Sequence, residues 1–167
     1  MKVMMLALVG LFVYAQPDAV GKVESTFDKK TNFAELHSYS WSGGAPAINA
    51  DAHRMVVAAF EKEMTALGFK QVPSGGDVTL SYYNVTTTEV DLKKLDEAAK
   101  AGTSTSTSTS TPTKTCARMM IVMRAPKSRT ELWTAITREY VEPDQLSATI
   151  QRVADRLFAT YPTRKPK

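Results

Sequence analysis

Val23, Ser25 and Phe27 alternate with Glu24 and Thr26, a period of two that predicts a strand with one buried face. Tyr39 and Trp41, set against Ser38, Ser40 and Ser42, predict a second strand, which Gly43, Gly44 and Pro46 break. From Asp51 the period lengthens. Val56, Phe60, Met64 and Leu67 fall three or four apart with Val57 beside them, and Glu61, Lys62, Glu63 and Thr65 take the other side, as in an amphipathic helix. Asp51 is placed to cap its first amides, Gly68 to supply a left-handed stop, and Phe69 to fold back on the last turn. After the turn signal Pro73-Ser74-Gly75-Gly76-Asp77, Val78, Leu80 and Tyr82 alternate with Thr79, Ser81 and Tyr83, predicting a strand to about residue 87.

Residues 90–101 predict a short helix with Leu92, Leu95 and Ala99 on a narrow stripe and Gly102 as its stop. Residues 117–123 are apolar at nearly every position except Arg118, which predicts a strand covered on both faces or central in a sheet. Ala125-Pro126-Lys127-Ser128 turns the chain. Leu132, Thr134 and Ile136 then alternate with Trp133, Ala135 and Thr137, and the short connection predicts a hairpin. Pro143 suits the first turn of a last helix, in which Leu146, Ile150, Val153, Leu157 and Tyr161 recur at helical spacing until Pro162. This order predicts an α+β fold: a mostly antiparallel β-sheet with two amphipathic helices packed on one face, a two-layer sandwich.

Residues 103–111 alternate strictly between Thr and Ser, whose hydroxyls compete for backbone hydrogen bonds and leave nothing to bury. A mobile loop over about 102–115 is therefore expected. Near the start, Met1 and Lys2 precede an apolar run over residues 3–14, and Val13-Tyr14-Ala15 supplies a small residue at a cleavage position. Residues 1–15 thus predict a secretory signal peptide, with residues 16–167 as a single domain in the periplasm or outside the cell. Cleavage there leaves no Cys for lipid attachment, because the sole cysteine is Cys116, which is expected to be buried.

The 167 residues carry a formal charge of +4, and the basic residues are scattered doublets such as Lys29-Lys30 and Lys93-Lys94 without interleaved aromatics. No nucleic-acid groove is predicted. Weak association with an anionic membrane surface is compatible with this charge, although a solvated basic face explains it as well.

No complete catalytic signature is present, whether G-x-S-x-G, H-E-x-x-H, P-loop or dinucleotide glycine pattern. Ser74-Gly75-Gly76-Asp77 reads as a turn before it reads as a nucleophile with backbone donors. His37 and His53, with Asp51, form a zinc set only if a loop and a helix start converge. Asp28 and Asp77 read as strand-end polar residues, or as a carboxylate pair meeting across a sheet edge. No catalytic residue, metal or cofactor is therefore expected. The aromatic set Tyr39, Trp41, Tyr82, Tyr83, Trp133 and Tyr140 falls on predicted strands. If Tyr83 and Trp133 lie on the face the helices leave bare, they form the candidate binding surface; the alternative is that these aromatics are core.

Asp28, Asn32-Phe33, Tyr39-Ser40-Trp41, Ala66-Leu67-Gly68-Phe69, Asp77-Val78-Thr79-Leu80-Ser81-Tyr82, Glu131-Leu132-Trp133 and the closing Leu157-Phe158-Ala159-Thr160-Tyr161-Pro162 form an ordered set of landmarks. In that order, over roughly residues 22–162, the chain resembles the domain-of-unknown-function family 4136. The resemblance implies a small exported bacterial envelope protein, often a lipoprotein, and brings no catalytic residues. The chain departs from the pattern in lacking the lipid-attachment Cys and in carrying Ala125-Pro126 where an acidic residue is usual. The expectation is a non-enzymatic binding or scaffold module that uses an open sheet face or edge to engage an envelope protein, lipid or cell-wall component. The alternative is a hydrolase or metal-dependent enzyme whose site is assembled from sequence-distant residues.

Overall fold

The computed structural model describes residues 20–47, 49–101 and 111–163. The expected signal peptide, and the Thr/Ser run except for Thr111, lie outside them. Among the described residues a single six-stranded sheet runs in the order β1-β6-β5-β4-β2-β3. Its strands are β1 (Val23–Phe27), β2 (Ser38–Trp41), β3 (Lys70–Gln71), β4 (Val78–Val90), β5 (Thr113–Arg124) and β6 (Glu131–Val141). The helices are α1 (Ala50–Ala66), α2 (Leu92–Lys100) and α3 (Leu146–Phe158), the last entered through a short 3-10 turn at Pro143–Gln145.

One expectation is corrected. β1, β6, β5 and β4 pair antiparallel, but β2 runs parallel to both β4 and β3, so the sheet is mixed rather than mostly antiparallel. The reason is connectivity: α1 carries the chain from β2 back to the same end of the sheet, and a helical crossover returns a strand parallel to the one it left. Of the three helices among the described residues, α2 stands where a short helix is expected over residues 90–101 and buries none of its residues, so it is no part of the two-layer packing.

The core lies between one face of the sheet and the pair α1 and α3. Leu80 and Tyr82 on β4, Ile121 and Met123 on β5, and Trp133 and Ala135 on β6 share a strand parity and meet Val56, Phe60 and Met64 of α1 and Val153, Leu157 and Phe158 of α3. Aromatic edges tie the layers: Phe60 meets Phe158 at 5.4 Å between ring centroids and Tyr82 at 5.9 Å, and Trp133 meets Phe158 at 5.4 Å. Among the described residues no helix is long and apolar enough to cross a membrane.

Local signals account for the element ends. The α1 N-cap is Asn49 rather than Asp51: the Asn49 side chain accepts the amides of Asp51 and Ala52, while Asp51 sits in the first turn and pairs with Arg54. At the other end Gly68 has φ +88°, and the amides of Gly68 and Phe69 bond to the carbonyls of Thr65 and Met64, closing a Schellman motif. β5 and β6 form the expected hairpin, with a register shift at Met123/Arg124 and Arg129 at φ 59° in the turn. Cys116 is buried on β5 and its Sγ accepts from Arg138 Nε at 2.9 Å.

Candidate functional site: the open end of the sandwich

β4, β5 and β6 run on past the starts of α1 and α3, and the sandwich opens there. Along the helix-facing parity the large residues of the core give way to small and polar ones. On β4, Leu80 and Tyr82 are followed by Asn84 and Thr86, and on β5 Met119 is preceded by Ala117 and Thr115. Opposite them α1 presents Ala52 and α3 presents Thr149. Among the described residues no large side chain fills the space, and a cavity of about 280 Å³ remains, opening to solvent. Val56, Met119, Ile150, Val153, Leu146 and Val141 supply most of its apolar wall, and among the described residues no aromatic side chain lines it.

Few polar groups face this cavity. Among the described residues, Glu139 on β6 is its one charged wall residue, and its carboxylate pairs with Arg156 at 2.6 Å and Arg152 at 3.9 Å on α3. Thr137 is satisfied through its hydroxyl, which donates to the Lys22 carbonyl at 2.7 Å. Asn84 differs: its amide nitrogen reaches Thr86 Oγ1 at 3.4 Å, but its Oδ1 is buried with no hydrogen-bond partner.

Next to this cavity the loop after β2 is pinned to the sheet. Tyr82 accepts the Ala47 amide at 3.2 Å, pairs with His53 Nδ1 and stacks on the His53 ring, and burial raises its phenol pKa. His53 is therefore engaged by Tyr82. His37 is exposed on its loop, where its backbone amide donates to Asp77. Among the described residues no three His, Cys, Asp or Glu side chains gather closely enough to hold a metal ion.

Asp28 and Asp77 do not pair. Asp28 closes its own turn by accepting from the Lys30 amide and the Thr31 hydroxyl, and Asp77 Oδ2 accepts from the His37 and Ser38 amides and the Ser38 hydroxyl at 2.9 to 3.0 Å. The Ser74-Gly75-Gly76-Asp77 run is a turn: Gly75 has φ +71°, and Gly76 passes so near the Tyr39 backbone that a Cβ would lie 2.8 Å from it.

The two residues of the expected binding surface fall on opposite faces of the sheet. Tyr83 pairs in register with Met120 and is half-buried on the bare face, where Arg124 reaches both its hydroxyl at 3.4 Å and Glu131 at 2.8 Å. Trp133 pairs with Met123 on the helix-covered face and is 0% exposed, so it belongs to the core and cannot meet a partner. Adjacent strand positions point to opposite sides, and Trp133 follows the parity of Ala135 rather than that of Leu132 and Thr134. The bare face is crossed by the ion pairs Arg124–Glu131 and Arg138–Glu89. Val85, at 55% exposure, is its one largely exposed large hydrophobic among the described residues.

One family model, that of a domain of unknown function (DUF4136), matches residues 23–163. The chain belongs to the DUF4136 family. Comparison with curated proteins finds no match. Among solved structures, this DUF4136 chain is similar to a PDZ domain protein from Parabacteroides distasonis, with a TM-score of 0.54 at 14% identity over 86% of this chain and 36% of that one. It is also similar to the PelC dodecamer from Paraburkholderia phytofirmans, with a TM-score of 0.55 at 11% identity over 86% of this chain and 99% of that one. At such identities the likeness extends to the fold.

Proposed function

We propose that this chain is a non-enzymatic binding module of the bacterial envelope, and that it takes a small apolar ligand in the cavity between the starts of α1 and α3 and the extended part of β4, β5 and β6. The observation that carries this reading is the cavity itself, about 280 Å³, apolar-walled and open to solvent, with the Glu139 carboxylate, the one among its described wall residues, paired with two arginines. Ligand sites are concave and mostly apolar with a few placed polar groups, and this one lies toward the small end of that range. The envelope assignment rests on the leader read over residues 1–15 and on what the family resemblance implies. The cavity is preferred to the bare sheet face because arginine–glutamate pairs cross that face, and a charged, salt-bridged surface is a poor apolar platform.

The test is native mass spectrometry of the mature chain isolated without denaturant from an envelope fraction. The expected result is a bound non-covalent mass that is absent from an Ala117→Phe variant, in which the ring fills the cavity, and from a Thr115→Leu variant of native melting temperature. A wild-type chain carrying no added mass, or an added mass that survives both substitutions, contradicts the reading.

A further inference from the structure

We propose that β1 is the seat of a symmetric dimer, in which a second copy of this chain pairs its own β1 antiparallel along the free side of the strand. β1 ends the sheet, and among the described residues only β6 pairs with it. The Asp28 amide donates to the Leu132 carbonyl at 2.8 Å, one step beyond the Phe27–Trp133 pair, so the backbone groups of Glu24 and Thr26, which share the parity of Asp28, face β6. Those of Val23, Ser25 and Phe27 face outward. The other end strand, β3, is two residues long, whereas β1 has five, of which Glu24, Ser25, Thr26 and Phe27 are exposed. An unpaired edge of this length is a template for another strand. Among the described residues of the cavity wall none comes from β1, so this proposal and the ligand reading fail separately.

The sequence of β1 fits its own reverse. Outward-facing residues pair only with outward-facing ones, and centring the two strands on Ser25 sets Val23 opposite Phe27 and Ser25 opposite itself. Every outward residue of β1 then falls in a hydrogen-bonded pair. On the helix side of the sheet Val23 meets Phe27 of the second copy, whose ring is 49% exposed in the single chain. On the bare face Glu24 meets Thr26, and just past the strand ends Lys22 meets Asp28, a pair of opposite charges that the symmetry repeats. Sliding one strand by two residues in either direction loses this match. One slip sets Glu24 against Glu24, and the other sets Glu24 against Asp28 and Lys22 against Lys30. Like charges directly opposite disfavour both, so charge selects the centred register. A two-fold axis through Ser25 closes the contact on itself, and assembly through this edge stops at two copies.

The experiment is sedimentation equilibrium of the mature chain over a concentration series, joined to a cross-linking test of register. The expected result is a reversible monomer–dimer equilibrium. Ser25→Pro removes an outward-facing amide at an edge position that suits proline, so dimerisation is expected to weaken about tenfold or more while the melting temperature of the dilute chain holds. Lys22→Glu is expected to weaken it about threefold at low salt, an effect lost at high salt. For the register, a Glu24→Cys chain is mixed with a Thr26→Cys chain under mild oxidation. In the centred register these positions form a non-hydrogen-bonded pair with Cα atoms about 4.5 Å apart, within disulfide reach. The mixed disulfide is therefore expected to exceed either homodimer severalfold, and the native Cys116 is buried. A dimer unaffected by Ser25→Pro, or homodimer bridges that outnumber the mixed one, overturns the proposal. A wild-type chain that stays monomeric at every concentration overturns it as well, and leaves a strand of a different protein as the occupant of the edge. The cross-link uses exposed positions, so it decides the matter even where Ser25→Pro disturbs folding.

Discussion

Asp77 shows how one exposed carboxylate can fix a strand register. It stands just before β4 and accepts from the His37 and Ser38 amides and the Ser38 hydroxyl at the mouth of β2, and its own amide donates back to Ser38 Oγ at 3.0 Å. These bonds, the His37 amide foremost, hold its pKa below the ordinary carboxylate value. A group so depressed contributes stability that is fully present above its unfolded pKa and is lost as pH falls through the folded one. Asp77→Asn is therefore expected to lower the melting temperature by a few degrees at neutral pH. The gap to wild type should hold down to about pH 5 and close below about pH 4, as read in thermal melts across pH. Beside it, Gly76→Ala puts a methyl 2.8 Å from the Tyr39 backbone, which cannot swing aside. A loss of roughly 1–3 kcal/mol in chemical denaturation is expected, the usual penalty of overpacking.

The elements divide into those the core needs and one that it does not. Phe60 on α1 is fully buried between Tyr82 and Phe158, so Phe60→Ala is expected to cost roughly 3–5 kcal/mol, seen as a shifted denaturation midpoint. α2 is the opposite case. Leu92 is 70% exposed and Leu95 36%, and a Leu92→Lys, Leu95→Lys double variant should stay within about 0.5 kcal/mol of wild type in the same measurement. Periodicity located α1 and α3 because their stripes are long and buried. It also located α2, although the Leu92 and Leu95 stripe there packs on no core, since periodicity reports a shared face and not what covers it. Asn49 and Asp51 both carry acceptable capping oxygens two residues apart, and only the backbone geometry selects Asn49 as the N-cap.

For the molecule as a whole, the strands, the hairpin and the core were legible because alternation fixes which residues share a face. What alternation does not fix is which face the helices take, or the direction of β2. Trp133 was therefore open to assignment on either side until its register with Met123 was known, and the parallel pairing of β2 with β4 depends on how α1 crosses the sheet. The cavity had a signal that composition hid. On the inner parity of β4 and β5, large apolar residues yield to Asn84, Thr86, Ala117 and Thr115, and a face that turns small and polar beneath helix starts is one that no described side chain fills. The most direct measurement is a methyl-resolved NMR titration of the full chain with 1-octanol. The account predicts shifts concentrated on Val56, Met119, Ile150 and Val153, with Val85 and Val122 of the bare face unmoved. Shifts led by Val85 and Val122, or spread evenly over both faces, would contradict it.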